Sequence, residues 1–151
     1  MSNGHLAVLG AGPGGYSAAF YAADQGYKVT LVDASDKLGG VCLHRGCIPS
    51  KALLHIAGLM TKVQQAKDQG IDFDNPKIDL RRLNEWKEGV VSKVSDGLAL
   101  LCKQRGITYV TGRGVFLGSN TIKISGGQSI TFDRCVIATG SRPVVPDQFN
   151  G

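Results

Sequence analysis

Residues 5–10 (HLAVLG) are an unbroken apolar run closed by a glycine, the pattern of a strand buried on both faces. Residues 14–25 carry small and apolar side chains at Ala18, Ala19, Phe20, Ala22 and Ala23, and Gly26 stands as a C-terminal stop, so a short helix is expected. Residues 28–32 (KVTLV) are rich in β-branched side chains and read as a second strand. Strand, tight turn, helix and strand in succession make a βαβ unit. Residues 34–40 are polar and glycine-rich and read as a loop. Residues 50–67 look helical, with apolar positions at Leu53, Leu54, Ala57, Leu59, Met60 and Val63, and residues 69–77, holding Gly70, Asn75 and Pro76, read as a connection. Residues 79–105 place Leu80, Leu83, Trp86, Val90, Val94, Leu98 and Leu101 at spacings of three and four, one apolar stripe along a long helix that Gly106 ends. A third buried strand is expected at 107–111. Runs at 115–117, 121–124 and 129–132, separated by turn residues, predict a small antiparallel meander. Residues 135–138 are apolar again, and Pro143, Pro146 and the polar end 147–151 resemble a boundary. The expected fold is α/β: a Rossmann-like doubly wound parallel sheet with two long helices and a small antiparallel meander.

Composition narrows the class. The 151 residues have the length of one domain, and 42% hydrophobic with 19% charged residues excludes a disordered chain. No apolar run reaches the roughly 20 residues of a membrane span, and no basic stretch precedes an apolar core as in a secretory signal. The expected setting is the reducing cytoplasm, where four cysteines suggest chemistry or burial rather than a disulfide framework. The net charge of +5 comes from scattered Lys and Arg without a basic stripe interleaved with aromatics, so neither nucleic acid nor membrane is an expected partner. Glycine, 21 of 151, is about twice its average share and clustered, which marks sharp turns and close approaches.

Gly10-Ala11-Gly12-Pro13-Gly14-Gly15 satisfies G-x-G-x-x-G, follows a strand, opens a helix, and has Asp33 at the end of the next strand. Gly10 permits the tight turn, Gly12 lets a pyrophosphate reach backbone N–H groups, and Gly15 lets helix and strand pack closely. The helix N-terminus favours the anion, and Asp33 would accept hydrogen bonds from ribose hydroxyls. A ligand-free glycine turn is the competing reading. The fingerprint serves NAD and FAD equally.

Cys42 and Cys47 lie five positions apart, just after Gly39 and Gly40. As zinc ligands they lack a second Cys or His pair at suitable spacing, so no metal is expected. As a structural staple, so short a loop would contribute only about 2 kcal/mol in the chain-entropy model. A reversible dithiol is the better reading. On a regular helix, Cα atoms five residues apart stand roughly 8–9 Å from each other, whereas a disulfide needs less than about 7 Å. The segment must therefore be distorted, and Gly46, with Pro49 unable to donate to the Arg45 carbonyl, favours an irregular first turn. Thiols near a helix start, with Arg45 and Lys51 close by, are expected to have lowered pKa values. His44 is expected to face solvent and His5 to be structural. His55 is expected to pack or cap, and Cys102 and Cys135 to be buried small hydrophobes.

The run Gly39-Gly40-Val41-Cys42-Leu43-His44-Arg45-Gly46-Cys47-Ile48-Pro49-Ser50-Lys51 resembles the redox-active motif of the pyridine nucleotide–disulfide oxidoreductases. Leu43, Ile48, Ser50 and residues 52–55 point within that family to the branch that oxidises dihydrolipoamide; glutathione and mercuric reductases usually carry valines at the positions of Leu43 and Ile48. The resemblance runs the length of the chain, through Gly112-Arg113-Gly114 and residues 138–143. It implies FAD on the glycine turn of Gly10, Gly12, Gly14 and Gly15, with its ribose on Asp33. Gly40, Val41 and Cys42 would line the cofactor and Lys51 would approach the flavin. Gly114 would contact the adenine end, and Thr139, Gly140 and Ser141 would pass close by. Cys42 would be the interchange thiol and Cys47 the thiol that faces the flavin, passing electrons onward to NAD. Asp33 stands where the family usually has Glu, and His44 and Arg45 replace the more usual Asn and Val.

Family members are several times longer. The resemblance therefore implies that residues 1–151 are the FAD-binding portion of an NAD-dependent flavoprotein disulfide oxidoreductase, inactive alone in NAD reduction and homodimeric when complete, with the NAD and interface domains absent. Its partner would be dihydrolipoamide on the lipoyl domain of 2-oxo acid dehydrogenase complexes. A mercuric or other disulfide reductase, or a non-catalytic dinucleotide-binding module, remain as alternatives.

Overall fold

Side chains of a strand alternate between faces, and in the first two strands both faces are apolar, so the sheet they build has to be covered twice. A computed structural model describes residues 3–74 and 76–149. In chain order it contains β1 (His5–Leu9), α1 (Pro13–Asp24), β2 (Lys28–Asp33), α2 (Gly40–Arg45), α3 (Cys47–Ala66), α4 (Leu80–Gln104), β3 (Thr108–Thr111), β4 (Gly114–Phe116), β5 (Thr121–Ile124), β6 (Ser129–Thr131) and β7 (Arg134–Ile137), with short 3-10 turns at Lys67–Gln69 and Asp147–Phe149. Asn150 and Gly151, part of the expected boundary, lie outside the described residues, as does Asn75 in the expected connection.

Four parallel strands run in the order β3-β2-β1-β7, and β4-β5-β6 form a separate antiparallel sheet. Val8 pairs with Leu31 on one side and Val136 on the other. Leu6, Val8, Val29 and Leu31 point to one face, where Ala19 and Ala22 of α1 and Cys102 of α4 cover them. Ala7, Leu9 and Val32 point to the opposite face, covered by Ile122, Ile124, Ile130 and Phe132 in and beside the meander. Helices thus occupy one face and the meander the other. His5 joins the two sheets at their far edge: its Nδ1–H donates to the Thr131 carbonyl at 2.7 Å, and the Thr30 hydroxyl donates to Nε2 at 2.8 Å, a structural role as expected.

Three local expectations need correction. The third strand is not buried; β3 is a sheet edge with exposed ends, and the buried residue is Ile107 just before it. The loop expected at 34–40 ends one residue early, because the chain enters α2 directly after the left-handed Gly39 at φ 117°. The following helix starts at Cys47 rather than near residue 50. Pro49 lies in its first turn, where the missing N–H has no partner to lose, so it does not delay the start. The long helix agrees with its pattern in its bounds, and Asp79 caps α4 by accepting the Arg82 N–H at 3.0 Å, but the expected stripe is not the face that packs: Leu80, Trp86, Val94 and Leu101 are exposed, while Val91, Ser95 and Cys102 are buried against the rest of the fold.

Candidate functional site

The chain leaves β1 for α1 and β2 on one side, while β7 lies on the other, so the strand order reverses at the carboxyl end of β1. Two adjoining clefts open there, of about 940 Å³ and about 400 Å³. Both are bordered by Gly10 after β1, Asp33 at the end of β2 and Thr139, Gly140, Ser141 and Arg142 after β7, so they form one elongated trough. Gly112, Arg113 and Gly114 close one end, and Gly40, Val41 and Cys42 lie at the other.

The three motif glycines perform the separate jobs the pattern assigns. Gly10 turns at φ 97°, and a Cβ there would stand 2.6 Å from the Ala138 carbonyl carbon. At Gly15 a Cβ would overlap the Gly10 carbonyl oxygen and stand 2.7 Å from its carbon, so this buried glycine joins helix to strand. At Gly12 nothing lies nearer than the Gly40 Cα at 3.9 Å, so the space before it is free for a ligand. α1 begins there with no side-chain cap and no acidic residue in its first turn, leaving donors and positive dipole to an external anion. Asp33 is held by two backbone donors, Ala11 N–H to Oδ2 at 2.6 Å and Ser35 N–H to Oδ1 at 2.8 Å. Each oxygen keeps a further lone pair for a ribose hydroxyl. An open cradle at Gly12, a bare helix N-terminus and an aimed carboxylate fit the adenosine diphosphate part of FAD.

Gly39 N–H donates to the Ala11 carbonyl at 2.9 Å, tying α2 to the glycine turn. α2 ends at Gly46, whose φ −134° and ψ −109° break the helix before α3. This is the distortion that the five-residue spacing demands, and it sets the Cys47 thiol near enough to act on the Cys42 proton. A Cβ at Gly46 would press to 3.2 Å from the Val41 carbonyl oxygen and 3.3 Å from the Cys42 Cα, so a side chain there would push the two helix ends apart by a few tenths of an ångström. Both cysteines are free thiols; Cys42 is half-buried in the trough wall, while Cys47 is exposed at the start of α3. Cys47 and Lys51 border neither cleft, and Gly15 lies beneath the turn.

The expectation of lowered thiol pKa values does not hold for Cys42. The Cys47 thiol holds the Cys42 proton, with desolvation and repulsion by a charge on Cys47 adding to the effect, and together they outweigh the Cys47 backbone N–H and the pull of Lys51. Burial alone pushes Cys135 up, and it outweighs nearby Arg105 at Cys102. His44 does not face solvent: its Nε2–H donates to the Leu38 carbonyl at 2.8 Å, a carbonyl that also accepts from Ser95 Oγ at 3.2 Å, and its ring borders the trough. His55 is exposed on α3. The sequence reading also missed Lys37, Arg45 and Arg142 as trough residues. The available signal was their position inside or beside the motif stretches.

A family model described as pyridine nucleotide-disulphide oxidoreductase matches residues 4–151. The chain belongs to this family. Among curated relatives, a dihydrolipoyl dehydrogenase of Vibrio cholerae is 45% identical over 142 residues, 92% of this chain and 30% of that protein. One of Haemophilus influenzae is 46% identical over 143 residues, with the same coverage of 92% and 30%. The chain therefore spans about 30% of the length of the curated relatives it matches. Among solved structures, the HOCl-induced flavoprotein disulfide reductase RclA from Escherichia coli superposes with a TM-score of 0.75 at 26% identity, covering 94% of this chain and 29% of that one. For a pyridine nucleotide-disulphide oxidoreductase, a paired dithiol beside a dinucleotide trough is the arrangement the chemistry requires.

Proposed function

We propose that this chain is the FAD-binding, disulfide-bearing segment of a dihydrolipoyl dehydrogenase, a cytoplasmic enzyme whose NAD and dimer-interface domains lie in the remainder of a longer protein. The observation that carries the proposal is the Gly46 break, which sets the Cys47 thiol close to Cys42 at the end of a trough that fits a dinucleotide. Its kinship to dihydrolipoyl dehydrogenases over 92% of its length supports the choice of dithiol.

Thiol–disulfide exchange follows from the arrangement. With the pair oxidised, a dihydrolipoamide thiolate attacks Cys42 Sγ, the Cys42–Cys47 bond breaks, and Cys47 leaves as thiolate. The second dihydrolipoamide thiolate attacks its own sulfur in the mixed disulfide, releasing cyclic lipoamide and Cys42. Two electrons now reside on the pair; of the substrate's two protons, one rests on Cys42 and one passes to solvent. By the family's pattern Cys42 would serve as interchange thiol and Cys47 would be the thiol that meets the flavin. Gly10, Gly12 and Gly14 receive the diphosphate, Asp33 the ribose and Gly114 the adenine end. Thr139, Gly140 and Ser141 would pass close to the cofactor, and by the family's pattern Lys51 would approach the flavin. FAD, when bound, supplies the two-electron acceptor that relays the pair's electrons to NAD.

The test is anaerobic titration of the complete enzyme with dihydrolipoamide, followed by visible absorption. Flavin bands are expected, with long-wavelength absorbance growing on reduction in the wild type and absent in Cys47→Ser. The 151 residues alone are expected to reduce no NAD. Lack of flavin bands, or steady NAD reduction by this segment alone, would refute the proposal; turnover of a different disulfide would move it to another member of the family.

A further inference from the structure

We infer that Ser95 of α4 is a positioning residue that acts through two peptide groups on the dinucleotide turn and on the helix carrying Cys42; what the positioned thiol does rests on the exchange reading above. Thr30 and Ser95 are the buried polar side chains among the described residues. Thr30 holds His5, whereas Ser95 borders neither cleft and has no part in the exchange. Serine is a poor choice inside a helix, and on the face shared with Val91 and Cys102 an apolar side chain would pack as well. Its hydroxyl instead donates at 3.2 Å to the carbonyl of the buried Leu38, 57 residues away in sequence. His44 Nε2–H donates to the same oxygen at 2.8 Å.

The Leu38 carbonyl and the Gly39 N–H belong to one planar peptide group, and that N–H donates to the Ala11 carbonyl at 2.9 Å. The peptide group that holds the Ala11 carbonyl ends in the Gly12 N–H, at the open cradle before α1. Hydroxyl and two peptide groups are thus linked donor to acceptor from α4 to the anion site, and each bond strengthens the next. The first of these peptides also leads into α2. With six residues α2 is too short to hold its own place, and the chain enters it through Gly39 at φ 117° and Gly40 at φ 59°. Pinning the Leu38–Gly39 peptide at both ends removes the freedom of that glycine pair. It fixes how Gly40 meets Gly12, so close that a Cβ on Gly40 would stand 2.7 Å from the Gly12 Cα, and with it where Cys42 stands two residues on. Because two donors share one buried acceptor, either alone keeps it satisfied, and loss of both orphans it.

The experiment uses the complete protein as wild type, Ser95→Ala, His44→Leu and the double variant. Three quantities are read: hydrogen exchange of the Gly39 amide relative to the Leu31 amide in the flavin-free protein, FAD affinity by fluorescence titration, and the urea midpoint. Each single variant is expected to speed Gly39 exchange and weaken FAD binding about two- to three-fold, the low end for one neutral hydrogen bond. The double variant should lose about ten-fold or more in both, beyond the product of the singles, because the carbonyl is then orphaned. His44→Gln in the Ser95→Ala background keeps a side-chain N–H donor and should return most of the loss. If urea midpoints fall while relative Gly39 exchange and FAD affinity stay, or if the double variant matches the product of the singles, the inference fails; dihydrolipoamide turnover then leaves the exchange reading standing. If exchange and affinity move as expected but the wild type oxidises no dihydrolipoamide, the lipoyl reading fails and the positioning of the turn stands. Gly39 exchange is read without flavin, so it decides the inference in either case.

Discussion

Gly15→Ala and Gly12→Ala add the same methyl group three residues apart, yet the structure assigns them opposite consequences. At Gly15 the new Cβ would overlap the Gly10 carbonyl oxygen and stand 2.7 Å from the carbonyl carbon, both backbone atoms without a rotamer to yield. Reaching ordinary contact at about 3.5 Å or more requires α1 to withdraw from the β1 end by on the order of 1 Å. That movement loosens Ala11 and Ala19, both fully buried, and the face of Val8 and Leu31 beneath them. Overpacking costs roughly 1–3 kcal/mol where side chains can adjust; against backbone, the upper end or beyond is expected, a large part of the ~5–15 kcal/mol that holds a domain folded. At Gly12 the methyl group meets only open space, its nearest neighbour being the Gly40 Cα at 3.9 Å, so stability should change by less than about 0.5 kcal/mol. The same methyl group would stand between the diphosphate and the first N–H groups of α1. Loss of even one charge-assisted hydrogen bond, about 1.5–3 kcal/mol, weakens FAD binding by roughly ten- to a hundred-fold. Urea denaturation of the FAD-free complete protein and fluorescence titration with FAD read the two effects separately. Equal urea midpoints for the two variants, or Gly12→Ala holding FAD as tightly as wild type, would refute the division of labour.

Two further outcomes follow from neighbouring groups at the site. Cys47→Ala removes both the thiol and the repulsion that hold the Cys42 proton while leaving Lys51, so the pH midpoint of Cys42 alkylation in the dithiol form should move down; an unchanged or higher midpoint would contradict the cause given. The Tyr109 hydroxyl donates to the Ser35 carbonyl at 2.8 Å, and desolvation, helped by the charges of Asp33 and Asp36, pushes its pKa up to about 12. The bond's contribution is therefore present below about pH 10, the ordinary tyrosine value, and lost as pH rises through about 12. Tyr109→Phe should cost about 1 kcal/mol in urea denaturation at pH 7 and abolish that alkaline loss; an equal loss in the variant would assign it elsewhere.

The dinucleotide half of the site was legible because its residues are near neighbours in sequence and each carries a local signature. Gly10, Gly12 and Gly15 hold the positions that a strand-to-helix turn demands, and Asp33 closes the next strand. The cysteine half was legible as a conflict, since five-residue spacing on an intact helix cannot bring two sulfurs together. Gly46 resolves it at the predicted place. What escaped was the start of α2 at Gly40, because a glycine pair looks like a loop whether or not a helix follows. The Cys42 thiol escaped for a different reason. Nearby Arg and Lys in sequence suggested a lowered pKa, but the group that acts on it most in space is the partner thiol.

Local chemistry along the chain determined the alternating elements, the anion-ready turn, the carboxylate that closes β2 and the need for a broken helix between the cysteines, because each depends on residues close in sequence. Only the tertiary structure decided which face of the sheet the meander covers, that β3 is an edge, and that Lys37, Arg45 and Arg142 converge on one trough. Those outcomes depend on which distant segments meet, and the packing of whole layers settles that.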